Sequence, residues 1–178
     1  MHHTLSHPFR AVPLKATAIF LAIASVLPWL IHLVPPHQGT PMGAILVPMF
    51  VVPLVALLWY SSAVALIVAA AGPALSFLVT GLPQGPMLVL LTVELIVFTL
   101  VTSQLLRAST LGWVAAPLAF VFTKTISLIV LTLFPFLSQL EPMTYFRTSL
   151  SVALPGVLLL GAINVIGLRY RQRHANVQ

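Results

Sequence analysis

Two side chains dominate the chemistry open to this sequence: Glu94 in one apolar run and Lys124 in the next. Glu94 is one of only two acidic residues, the other being Glu141. A charge inside a hydrocarbon layer is costly, so each of these groups needs a partner or a task. A helix entering near Pro86 puts Glu94 eight residues down, about 12 Å at 1.5 Å per residue. A helix leaving near Pro135 puts Lys124 eleven residues down, about 16 Å by the same rise. On consecutive antiparallel helices the two can therefore pair, which lowers the cost of both. Such a pair is either a structural salt bridge or the floor of a site that orients a polar solute. Ser127 lies one turn from Lys124 on the same face, and Gln84 and His37 fall in flanking turns as lesser candidates. Thr123, Gln104 and Asn164 are further polar residues inside apolar runs, where bonding between helices is the default role.

The elements that must position these groups are membrane helices. The 178 residues are 60% hydrophobic and 6% charged, with a mean hydropathy of +1.09. A soluble domain carries about 25% charged residues, so this chain cannot cover a water-facing surface. The spacing predicts an all-α integral membrane bundle of six transmembrane helices. Their approximate bounds are Leu14 to Val34, Gly43 to Trp59, Ser62 to Val79, Pro86 to Leu106, Trp113 to Phe134 and Arg147 to Leu168. The length suits one domain over 1–178. The first apolar run is longer than a signal-peptide core and is expected to be retained. Pro28 should kink the first helix, Pro48 and Pro53 make the second irregular, and Gly72-Pro73 should break or kink the third. Between the third and fourth helices lies a turn, Thr80-Gly-Leu-Pro-Gln-Gly-Pro86, with no charge.

Six spans put both termini on one side. That side collects Arg10, Lys15, Arg107, Arg169, Arg171 and Arg173, against Arg147 alone on the other. The positive-inside rule then makes both termini cytoplasmic, with residues 1–13 as an N-terminal tail and 169–178 as a basic tail. The basic excess is accounted for by orientation, and no nucleic-acid partner is expected. No cysteine is present, which removes thiolate chemistry, disulfides and cysteine metal sites. His2 and His3 beside a free amine can bind a divalent metal, but a tail is the simpler reading and no metal site is assigned. HExxH, GxSxG and phosphate-binding glycine loops are absent, so no enzyme is expected. On the first helix Ala18 and Ala22 form a small-xxx-small pair, suited to close helix packing either within the chain or against a separate membrane partner.

Taken together, these residues resemble the substrate-binding S components of energy-coupling-factor (ECF) transporters, in the vitamin-precursor subgroup. The resemblance is carried over most of residues 14–170 by Gly72-Pro73, Ser76, Leu78, Thr80, Gly81, Pro83 and Glu94, then by Lys124, and by Leu154-Pro155-Gly156 near the last helix. Ala18 and Ala22 match the family's docking pair. Two positions depart from the pattern. Phe50 stands where many relatives have a histidine, and Val157-Leu158-Leu159-Leu160 stands where a glutamine often follows. The resemblance implies a substrate-capture subunit for a vitamin or precursor such as pyridoxine, hydroxymethylpyrimidine or pantothenate. Its partners would be a membrane T component and two ATPase subunits, in a bacterial or archaeal plasma membrane. It implies substrate binding at Glu94 and Lys124, beside the lesser candidates Ser127, Gln84 and His37, and no cofactor. Nickel and cobalt relatives use an N-terminal Met-His, echoed by Met1-His2, but with that terminus outside, so metal uptake is disfavoured. Two other classes remain open: a self-sufficient small transporter, and a structural or assembly protein without a solute.

Overall fold

A computed structural model describes residues 13–83, 85–108, 110–137 and 141–175. The elements are α1 (Leu14–His32), α2 (Met42–Leu46), α3 (Pro48–Trp59), α4 (Ser62–Thr80), α5 (Pro86–Arg107), α6 (Ala115–Leu133), α7 (Pro142–Val152) and α8 (Leu154–Ala175). Single 3-10 turns cover Gly112–Val114 and Pro135–Leu137. The described residues form an all-α bundle, with six spans long and apolar enough to cross a membrane; α2 and α3 together make the second. Leu14, Ile19, Leu78, Val79, Leu158 and Ile166 are among many large apolar side chains left uncovered by protein. Soluble monomers seldom expose such a surface, whereas a bilayer needs one.

α3 is the central element and packs on α1, α4, α5 and α8. One core joins Phe50, Leu54 and Leu58 of α3 to Phe98, Phe120 and Leu160. A second joins Phe20 and Ala24 of α1 to Val52, Ala56, Ala65 and Val68. Small residues let α1 and α4 approach: a Cβ added at Gly72 would lie 3.4 Å from the Ala24 Cβ. The buried face of α1 thus runs through Ala16, Phe20 and Ala24. Ala18 and Ala22 are exposed on the opposite face.

The second span is broken as its prolines predict, whereas the third is continuous. α4 is continuous from Ser62 to Thr80 with Pro73 buried inside it, so Gly72-Pro73 does not break it. The second span breaks once, at Val47, which takes a left-handed conformation (φ 45°, ψ 49°). The residue before a proline is disfavoured in the right-handed helical region, and Pro48 at the first position of α3 needs no N–H partner. Pro53 sits within α3 without ending it. A β-branched residue at positive φ is rare and strained, and here tertiary contact holds it. A Cβ on Gly156 would lie 2.6 Å from Val47 Cγ2, 2.7 Å from the Ile45 oxygen and 2.8 Å from the Leu46 carbonyl carbon. Only glycine lets the start of α8 come this close to the break, which gives Leu154-Pro155-Gly156 a packing role.

The last segment also differs. Arg147 does not open the sixth span; it lies inside α7, a separate eleven-residue helix, and the span is α8. At eleven residues α7 is too short to cross a membrane, and it packs chiefly on α6. Residues 169–175 continue α8 as helix rather than forming a tail. Residues 1–12, with His2, His3 and Arg10, lie outside the described residues, as does Gln84.

Candidate functional site

Glu94 and Lys124 come together as their depths require. Lys124 Nζ donates to Glu94 Oε1 at 2.8 Å and to Oε2 at 2.7 Å. Both residues are buried, at 2% and 6% exposure, so the charges are paired away from water. Facing positions on the adjacent helices α5 and α6 bring them together. Ser127, one turn along α6, donates to Glu94 Oε1 at 2.7 Å. Its hydroxyl also bonds the Thr123 oxygen in its own helix at 3.1 Å.

A fourth hydrogen bond to this carboxylate comes from α7. The Tyr145 hydroxyl reaches Glu94 Oε1 at 3.2 Å. Burial pushes the ionisation of this phenol far upward, and the neighbouring carboxylate adds to the effect, so it stays protonated and donates. α7 is held in place by Glu141 at its N-terminus, whose carboxylate accepts from the backbone N–H of Met143 at 3.1 Å and of Thr144 at 2.8 Å. These bonds hold the Glu141 carboxyl below its ordinary range. Aromatic rings surround the ammonium: Phe50, Phe120 and Tyr145 have centroids 5.8, 5.5 and 5.4 Å from Lys124 Nζ. Cation–π attraction of this kind strengthens on desolvation.

The pair does not close off a solid core. It lines a cavity of about 650 Å³ between α1, the α2–α3 break, Leu82-Pro83, α6 and α7. That volume falls within the range of about 300–1,000 Å³ usual for small-molecule pockets. Trp29, Met49, Phe50, Leu91 and Phe120 supply apolar wall, and Ser76 and Thr80 add polar groups.

Of the residues predicted for the site, Glu94 and Lys124 line the cavity. Ser127 supports Glu94 from behind and is not part of the lining. His37 is exposed in a tight turn, paired with Thr40 through N–H···O bonds of 3.0 and 2.9 Å, and does not line the cavity. The histidine that does is His32, at the end of α1. Its Nδ1–H donates to the Pro28 oxygen at 2.7 Å, and its ring lies against Gly43, where a Cβ would have no room. Tyr145 falls between the last two expected spans, and nothing in the sequence gives His32 a role. A tyrosine in such a connection, with its apolar body and polar tip, is the available signal for the first. Nothing in spacing separates His32 from His37, because the choice depends on how the turn between them folds.

The other polar residues have structural roles. Asn164 Nδ2 donates to the Gly112 and Trp113 oxygens at 2.8 and 2.9 Å, tying α8 to the start of α6 as expected of an interhelical bond. Thr123 bonds within its own helix, and Gln104 is exposed. Among the described residues no group of three or more metal-ligating side chains occurs. No family model, curated protein or solved structure matches the chain, so its own geometry carries the functional reading.

Proposed function

We propose that this chain is the substrate-capture subunit of an ATP-driven uptake transporter of the energy-coupling-factor type, taking up a small vitamin or vitamin precursor. In this reading it binds rather than catalyses, and lies in a bacterial or archaeal plasma membrane with both termini cytoplasmic. A membrane T component and two ATPase subunits drive it. The observation that carries the reading is that the buried Glu94–Lys124 pair lines a cavity instead of being packed over. A purely structural pair gains little over packed apolar residues, so a pair kept at a cavity wall has a use in recognition. A second support is the exposed Ala18–Ala22 face of α1, since small residues left facing lipid permit close approach by another helix.

The test is thermal unfolding of the purified chain against a panel of vitamins and precursors, followed by uptake in vesicles containing the T component and ATPases. A ligand that raises the melting temperature and enters only with ATP supports the reading. Ligand uptake without ATPases would instead favour a self-sufficient transporter, and stabilisation by no compound would favour a structural protein.

A further inference from the structure

The charge balance and the uncommitted hydrogen-bonding positions of the cavity restrict what it takes. Glu94 and Lys124 carry the only formal charges among its described lining residues, apart from any proton on His32, and they cancel. Glu94 Oε1 is crowded, accepting from Lys124, Ser127 and Tyr145, whereas among the described residues Oε2 accepts from Lys124 alone. A carboxylate oxygen has room for about two donors, so Oε2 keeps an acceptor position. An ammonium has three N–H donors, and Lys124 uses two on Glu94. A spare acceptor and a spare donor are therefore left on the pair that lines the cavity. Around them are the flat faces of Phe50, Phe120 and Tyr145.

We propose that the site selects an uncharged planar molecule bearing an N–H or O–H donor beside an acceptor, as a primary carboxamide does. The donor bonds Glu94 Oε2, the acceptor takes the third N–H of Lys124, and the ring lies among the aromatic side chains. The ion pair stays closed, and neither charge is left without a partner. A carboxylate or cation of the same shape brings a net charge to a wall whose own charges already cancel, and must either open the pair or stay uncompensated. Discrimination therefore comes from the penalty on the wrong charge as much as from contacts to the right molecule.

This inference rests on the cavity being a ligand site, and its test is separate from that of the transporter assignment. Benzamide, benzoate and benzamidinium share one ring and nearly one shape while differing in charge. Their binding to the full chain in lipid nanodiscs, measured by ligand-detected NMR, reads the selectivity directly. Benzamide should bind at least tenfold more tightly than either ion. Glu94→Gln leaves an unpaired positive charge and should shift preference to benzoate; Lys124→Met should shift it to benzamidinium. Equal binding of the three, tightest binding of an ion to the unaltered chain, or no detectable benzamide binding overturns the proposal. Neutral selectivity without ATP-driven uptake would sink the transporter assignment alone. A charged compound emerging from the vitamin panel would sink this inference alone.

Discussion

The Tyr145 hydroxyl donates to Glu94 Oε1 at 3.2 Å across 51 residues of chain, and it is the longest of the four bonds that this carboxylate accepts. The other three come from α6, which is packed along α5. This one comes from α7, which lies outside the six spans and ends beside the cavity. The bond therefore ties a peripheral helix to the buried pair.

Tyr145→Phe keeps the ring beside Lys124 and removes only the hydroxyl. A hydrogen bond to a charged group contributes about 1.5–3 kcal/mol; the half-buried position and long distance put this one at about 1 kcal/mol, the general mean for hydrogen bonds. Thermal unfolding should drop by a few degrees at most, while limited proteolysis should cut α7 faster. Unchanged α7 protection would show that the bond does not anchor the helix.

Breaking the ion pair from one side should cost more than removing it. Glu94→Gln or Lys124→Met alone leaves a buried charge without its partner, at about 3–5 kcal/mol. The double variant should recover much of that loss, because neither charge remains. Equilibrium unfolding of the four proteins gives the coupling, and simple additivity would mean that the two groups do not interact.

Gly156→Ala tests the contact that holds the second span at its break. The added methyl meets Val47, the Ile45 oxygen and the Leu46 carbonyl carbon within 2.8 Å. Two of those three are backbone and cannot rotate away. Overpacking of this sort costs about 1–3 kcal/mol. The strain falls on a segment that lines the cavity, so ligand affinity should drop along with stability. The outcome is read by melting temperature and by titration of whichever compound stabilises the unaltered chain.

The two histidines of the first turn should separate. His32→Ala removes a cavity-lining ring and should weaken ligand binding several-fold. His37→Ala should leave it unchanged, because His37 does not line the cavity. Equal effects would place the ligand against the turn rather than within the cavity.

Glu141 predicts an acid-sensitive end to α7. Its folded pKa lies below the ordinary value of 4.5, chiefly through the Met143 and Thr144 backbone N–H groups. A depressed carboxyl stabilises the folded state above the unfolded pKa and loses that contribution as pH falls through the lower folded value. Hydrogen exchange in α7, corrected for intrinsic rates, should therefore be well protected at neutral pH and lose protection in acid. Glu141→Gln should remove the pH dependence.

The sequence by itself determined the solvent and the pairing. With so little charge the chain has to lie in lipid. Lipid forces its backbone into helices, and helix length then fixes depth, which is enough to place Glu94 opposite Lys124. Tertiary structure decided what composition and period leave equivalent. Ala18 and Ala22 read the same whether they pack inside or face outward, and only the path of α4 along Ala16, Phe20 and Ala24 turns them out. Pro48 and Pro53 read alike as breakers, yet only the first coincides with a gap that Gly156 of a distant helix opens for it. Tyr145 and His32 reach the cavity through α7 and the end of α1. Their places depend on how chain ends fold back over the bundle, which no local spacing encodes.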